Sequence, residues 1–354
     1  MSRNFTYEAL PGRVVFGAGT ASQLAAETDR VGGHRVLVVA SNRDQRLVDQ
    51  LVRPLGDRLV GRFTDVRQHV PIEVAAAARE MAAELAADCV VCVGGGSAIG
   101  TAKAIALVRP VPIVAVPTTY AGSEMTPVWG LTEDGRKTTG RDPAVQPATV
   151  IYDPELTLSL PPAIAAPSGV NALAHCVEAM WVPAASPITT LMAAEGIRTL
   201  AGSLPAVVAD GGDLEARSGA LYGAYLAGAA FATTGSGLHH RICHVLGGAF
   251  DLPHAETHTI VLPYVVAFNE LAVPEVMRTI AAALGTQSAP AGLWALTGRL
   301  GTPRALRDIG LSAEDVDRAV KLLLEKDYSD NARPVTEADL TAIVRAAFAG
   351  DPVV

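Results

Sequence analysis

No run of this sequence is apolar for long enough to cross a membrane; the nearest approach, ALYGAYLAGAAFATTG, reads as a buried Ala/Gly-rich helix. The first residues, MSRNFTYEALPGRVVF, lack the charged head, apolar core and small-residue cleavage site of a secretory signal, which predicts a cytoplasmic protein. A basic excess is also missing. With 36 acidic side chains against 28 lysines and arginines, the net charge of −8 argues against a nucleic-acid or anionic-membrane partner, whose phosphates require a basic face. By the same balance, an anionic substrate has to be held by local cations. Cysteine is scarce, at four residues, and only Cys89 and Cys92 are close in sequence. Their C-x-x-C spacing imitates a redox or zinc motif but falls in a β-type apolar run, where residues three apart face opposite sides; it reads as core packing in a reducing cytoplasm. Internal repeats and low-complexity linkers are absent as well.

What remains is a chain of 354 residues, 49% hydrophobic, long enough for two domains. From Arg35, apolar β-rich runs alternate with Ala-rich helical ones. RVLVVAS, LVGRFTDV, CVVCVGG and PIVAVPTT read as strands, and the segments between them as crossover helices. That pattern describes a parallel α/β sheet buried on both faces. Beyond Pro154 a proline-rich link, LSLPPAIAAPS, leads into helix at 169–182, 187–210, 214–233, 238–248 and 259–285, with several more after Ala289. The fold class expected is an α/β N-terminal dinucleotide-binding domain with a parallel sheet over 1–158, facing an all-α C-terminal domain over 159–354 across a cleft.

The turn after the third strand, Gly94-Gly95-Gly96-Ser97, stands directly before a helix. Glycines there let backbone N–H groups approach a pyrophosphate, and the helix N-terminus adds partial positive charge. This is not the G-x-G-x-x-G fingerprint, and it follows a late strand. Thr118 and Thr119 place two hydroxyls at the same carboxyl edge of the sheet, where such folds bind ligands. After the first strand, Ala40-Ser41-Asn42-Arg43 puts no acidic residue at the ribose position, and Asp44 comes later. Ser41 and Asn42 therefore predict a site that accepts NADH or NADPH.

Five of the eight histidines fall in one stretch, GLHHRICHVLGGAFDLPHAETHTIVL. His240 and His244 are four apart, as are His254 and His258, a spacing that stacks imidazoles on one helix face. Upstream, in SGVNALAHCVEAMW, Asn171 and His175 repeat the spacing, and Glu178 is placed to orient His175 from behind. Histidine titrates near neutral pH and binds metals, so the cluster is a candidate functional site.

GGGSAIGTAKA, PTTYAGSEMTPVWG, RKTTGRD, SGVNALAHCVEA and the histidine stretch together resemble the iron-containing (group III) alcohol dehydrogenase superfamily and, within it, the maleylacetate reductases. The resemblance runs over almost the whole chain. It implies a homodimeric NAD(P)-dependent enzyme that reduces maleylacetate, a small dicarboxylate, to 3-oxoadipate during breakdown of aromatic rings. Cofactor contacts are expected from Ser41, Asn42, Gly94, Gly95, Gly96, Ser97, Thr118, Thr119, Ser123 and Lys137. The superfamily's metal ligands, one aspartate and three histidines, fall on Asn171, His175, His240 and His254. Asparagine replaces the only anionic ligand, so the set is expected to be vestigial and no catalytic metal is expected. Gly100 also departs from the pattern, standing where metal-dependent relatives carry aspartate.

These losses suit the implied chemistry. A metal on a ketone oxygen favours hydride delivery to the carbonyl carbon, whereas maleylacetate is reduced at a conjugated double bond, where hydrogen-bond donors can stabilise the enolate and supply a proton. His244 and His254 are the expected donor and acid pair, with His175 and His240 positioning substrate. Lys137, Arg141, Arg241 and Arg333 are candidate partners for the substrate carboxylates, Lys137 serving the cofactor in an alternative reading. The competing functions are a metal-dependent alcohol or aldehyde dehydrogenase, a non-redox lyase or synthase on the same fold, and a non-catalytic NAD-binding regulator.

Overall fold

The computed structural model describes residues 5–10, 12–134 and 136–353, with Asp44 and Arg136 described by backbone alone. The first four residues of the N-terminal stretch read for a targeting signal, and the side chain of Asp44 near the expected ribose site, lie outside the described residues. The chain divides into two compact units, one spanning Leu10–Leu160 and the other Pro161–Val354 joined by the arm that ends at Ala9.

The first unit holds β1 (Arg13–Phe16), α1 (Leu24–Arg30), β2 (Val36–Ala40), α2 (Gln45–Val52), β3 (Leu59–Phe63), α3 (Ile72–Glu84), β4 (Cys89–Gly94), α4 (Gly96–Val108), β5 (Ile113–Pro117), β6 (Val128–Glu133), β7 (Arg136–Arg141) and β8 (Thr149–Tyr152). Its main sheet is parallel throughout, in the order β1-β8-β5-β4-β2-β3. Every residue of β2 and β5 is buried, which is why these strands read as unbroken apolar runs. The four expected strands are β2 to β5. Two more, β1 and β8, escaped the sequence reading because each has only four residues, and β1 is mostly exposed. β6 and β7 form a separate antiparallel hairpin, also unforeseen.

Cys89 packs with Val91 and Val93 in one core layer, and Cys92 lies three residues along the same strand. Both are free, buried thiols that burial pushes up to about 12. The C-x-x-C spacing is packing.

The second unit is helical: α5 (Pro162–Glu178), α6 (Pro187–Ala209), α7 (Leu214–Thr234), α8 (Leu238–Phe250), α9 (His254–Asn269), α10 (Pro274–Leu284), α11 (Ala289–Arg299), α12 (Asp315–Leu324) and α13 (Glu337–Ala349). The expected proline-rich link is in fact the start of α5. Pro162 occupies its first turn, where a missing N–H costs nothing. The expected helix 259–285 is two helices, separated at residues 270–273 and restarted by Pro274. α6 and α7 approach closely through small residues, since a Cβ on Gly223 would stand 2.6 Å from Leu200 Cγ. α7 contains the Ala/Gly-rich stretch, and no described helix is long and apolar enough to cross a membrane.

Candidate active site

In the sheet unit, β4 and β5 are neighbours with Gly94 opposite Pro117, and the Thr118 N–H donates to the Gly94 carbonyl at 3.2 Å. The glycine turn and the two threonines therefore sit side by side at one sheet edge. Gly94 has φ +146°, which disfavours any side chain, and a Cβ on Gly95 would lie 2.8 Å from Thr119 Cγ2. α4 then starts at Gly96 with its first N–H groups uncapped by any side chain. The Ser123 hydroxyl is buried without a hydrogen-bond partner and stands 3.9 Å from where a Gly96 Cβ would be. Bare N–H groups, a glycine surface and an unmatched hydroxyl fit the phosphates of a dinucleotide. Ser97 lies on the first turn of α4.

Ser41 follows β2, and Asn42 lines an open depression of about 630 Å³ with Arg43, Arg46, Glu155 and Leu156. Lys137 is on β7 and half-buried; burial lowers its pKa. A Cβ on Gly100 would come within 2.7 Å of Val70 Cγ2, so this chain has filled with a valine methyl the space that an aspartate there would need.

One residue of this unit was missed by sequence reasoning. Lys103 on α4 is buried, and its Nζ donates to the carbonyls of Ser123, Thr126 and Val128 at 2.7 Å each and to Thr126 Oγ1 at 3.0 Å. Burial pulls it down to about 7, against the raising influence of Glu124 and Cys92. Glu124, equally buried, is raised by burial despite a 2.7 Å hydrogen bond from the Tyr152 hydroxyl. Lys103 thus fastens the segment that presents Ser123. The signal was a lone lysine within an otherwise apolar helical run, AIGTAKAIALV.

In the helical unit, Asn171 and His175 are buried on the interior of α5, so Asn171 is no helix cap. Glu178, on the same helix and fully buried, does not orient His175 as its spacing suggested. It turns to the N-terminus of α8, where it accepts the N–H groups of Gly237 at 2.9 Å, His239 at 2.6 Å and His240 at 3.4 Å, and meets His240 Nδ1 at 2.5 Å. An acidic side chain at a helix N-terminus satisfies donors that the helix leaves over. It also directs the Nδ1 edge of His240 away from the cluster. His175 stacks on His240 with ring centres 4.9 Å apart, and Phe231 lies against both at 4.5 and 4.7 Å.

The other histidines continue inward and outward from His240. His258 on α9 is 4.7 Å from His240 ring to ring, and its Nδ1 is 3.0 Å from His239 Nε2. His254, the first residue of α9, is 4.4 Å from His258 and stacks with His244 at 6.3 Å. His175, His239, His240 and His258 are buried, while His244 and His254 are half-buried. Burial is the main force on the deep rings: it holds His239 down at about 3, and His175 and His258 well below the usual imidazole range, with neighbouring histidines adding to the shift. These three are neutral at pH 7.

Two candidate substrate cations are already engaged. Arg241 forms a two-pronged ion pair with Asp330, Nη2 to Oδ2 at 2.6 Å. Arg333 lies over the Phe268 ring at 4.3 Å and donates to the Phe268 carbonyl at 3.3 Å. Arg141 ends β7 in the sheet unit.

The inherited metal set does not fit an iron or zinc ion. Asn171 offers no charge. Among the described residues, the histidine, cysteine and acidic side chains whose ligating atoms all lie within 4.8 Å of one another are His239, His240 and His258, and the trio His175, His240 and His254 is not such a group.

Residues 11–154 match the family model described as iron-containing alcohol dehydrogenase, and 165–348 match the C-terminal model of the Fe-containing alcohol dehydrogenase family. The chain is 46% identical over 348 residues to the maleylacetate reductase of Sphingobium indicum, covering 98% of each. It superposes on the solved structure of a maleylacetate reductase from Agrobacterium tumefaciens with a TM-score of 0.94 at 42% identity, over 99% of this chain and 100% of that one. An iron-containing alcohol dehydrogenase from Corynebacterium glutamicum gives the same TM-score at 49% identity, over 99% and 98%.

Proposed function

Because the chain belongs to the iron-containing alcohol dehydrogenase family, we propose that it is an oxidoreductase that reduces the conjugated carbon–carbon double bond of maleylacetate to 3-oxoadipate. The observation that carries this reading is the pairing of near-full-length likeness to maleylacetate reductases with the loss of the anionic metal ligand at Asn171. When bound, NADH or NADPH supplies the hydride. Gly94, Gly95, Gly96 and Ser97 carry its phosphates on backbone N–H groups, with Thr118, Thr119 and Ser123 offering hydroxyls and Lys137 a cation.

Hydride addition at the conjugated position leaves an enolate, which needs a donor and then a proton. His244 and His254 suit that work because they are the half-buried members of the cluster, within reach of a substrate. His175, neutral and buried, and His240, held by Glu178, shape the floor behind them. Activity then requires no metal. The enzyme works as a cytoplasmic homodimer on a small dicarboxylate; with Arg241 and Arg333 committed elsewhere, the α9 N-terminus is the donor beside His254 for one of its carboxylates.

Steady-state kinetics on maleylacetate test the reading. His244→Ala or His254→Ala should lower kcat by roughly 10²- to 10⁴-fold while NADH binding, followed by fluorescence, stays near wild type. Near-normal kcat in both variants, or activity lost to a chelator and restored by iron or zinc, overturns it. With Ser41 and Asn42 at the ribose, kcat/KM for NADH and NADPH should lie within about 100-fold, or under ~3 kcal/mol. Ser41→Asp should penalise NADPH alone.

A further inference from the structure

We propose that His239, His240 and His258 form a binding site for one divalent transition metal of the zinc class, a ligand set different from the one that family likeness places on Asn171, His175, His240 and His254. Their ligating atoms lie within 4.8 Å of one another, and the three side chains are buried, at 0%, 2% and 0% exposure. His239 Nε2 and His258 Nδ1 face each other at 3.0 Å. Two imidazole nitrogens that bind one zinc ion tetrahedrally, at roughly 2.0–2.1 Å each, stand about 3.3 Å apart. A cation therefore replaces the single proton that now joins the pair, with a small movement of the rings.

The third ligand is prepared from behind. Glu178 meets Nδ1 of His240 at 2.5 Å and is itself fixed by the N–H groups of Gly237 and His239. A carboxylate on one ring nitrogen sets the tautomer and orientation of a histidine whose other nitrogen binds metal. Cys243 Sγ, 3.8 Å from His239 Nε2, is the nearest soft donor for a fourth position. Three imidazoles with one carboxylate behind them suit zinc, cobalt, nickel or copper rather than magnesium or calcium. The site stands whether or not the reductase reading does.

The test uses full-length protein stripped by dialysis against a chelator and titrated with cobalt(II), read by its visible absorption, with zinc as competitor. The wild type should bind one ion per chain with the intense bands of a tetrahedral site. His239→Phe and His258→Phe should weaken binding by at least ~100-fold, and Glu178→Gln by roughly 10- to 100-fold. Asn171→Ala and His254→Ala should stay within about threefold of wild type, because neither residue belongs to the trio. NADH fluorescence and circular dichroism confirm that each variant is folded, and His258→Asn serves should the phenylalanine variant fail. Absence of one-to-one binding in the wild type overturns the proposal. So does binding that survives His239→Phe and is lost in Asn171→Ala, which would restore the inherited set. Reductase assays on the stripped protein report separately on the proposed function.

Discussion

The sheet unit buries Lys103 and the helical unit buries Glu178, and these two side chains are caged by opposite ends of the backbone. Lys103 in the sheet unit is surrounded by three carbonyls and a hydroxyl; Glu178 in the helical unit is held by three N–H groups at a helix start. The Lys103 cage closes on the main chain and has nothing left to pass on. Glu178 keeps one interaction for a side chain, His240, and through that ring meets His175, His239, His244 and His258. The same device, a charge neutralised by peptide dipoles, fastens a loop in one place and aligns a reactive site in the other. What separates them is the last partner.

The largest effect that would break this comparison is at Glu178. Glu178→Leu leaves three N–H donors and His240 Nδ1 without their acceptor, and should cost about 3–5 kcal/mol in urea unfolding. A loss below ~1 kcal/mol would mean that water replaces the carboxylate at no expense, and that the cage is incidental. Lys103→Met should cost less, about 1–3 kcal/mol, because removing the ammonium also removes a desolvated charge. Its distinguishing mark is a roughly tenfold or greater rise in the Kd for NADH with kcat at saturating NADH almost unchanged, since the residue it releases is Ser123. Stability lost with no change in NADH affinity would reduce Lys103 to packing.

The third expectation concerns acid, in metal-stripped protein. His175, His239 and His258 are depressed below an ordinary value of 6.5, His239 to about 3, so between these limits the unfolded chain binds more protons than the folded one. Their contribution is complete above pH 6.5 and is lost as pH falls below it, for His239 down to about 3. Each such ring adds about 1.4 kcal/mol per pH unit to the slope. His239→Phe should therefore lower the slope of unfolding free energy between pH 5.5 and 4.5 by about that amount; an unaltered slope would show that His239 is already protonated in the fold. The smallest effect belongs to a charge with no cage. Arg241→Ala, which breaks a partly exposed pair with Asp330, should cost under ~1 kcal/mol and leave the KM for maleylacetate within about twofold. A tenfold rise in that KM would return Arg241 to the substrate.

Strands β2, β4 and β5 were legible because strands buried on both faces must be apolar throughout. β1, β8 and the β6–β7 hairpin were not, because short or half-exposed strands are defined by the partner they pair with, and that partner is distant in sequence. The start of α5 was read as a link, since prolines in a first turn look the same as prolines in a loop until the following turns are seen to close. In the site, the spacing of four correctly put His240 with His244 on α8 and His254 with His258 on α9. Glu178 was assigned the wrong histidine, because three residues of helix bring it near His175 but the α8 N-terminus offers it more donors. Lys103 left only a faint trace.

Residue order alone determined the α/β-then-α layout, the glycine turn before α4, the grouping of histidines and the substitution of Asn171, because each depends on periodicity or on residues adjacent along the chain. Which histidine faces which was left to the tertiary structure. The approach of His239 to His258, the grip of Glu178 on His240, the burial that keeps the deep rings neutral and the partial exposure of His244 and His254 all arise where separate helices meet. Spacing along one helix sets a direction, but a distance between side chains on two helices depends on how their backbones pack.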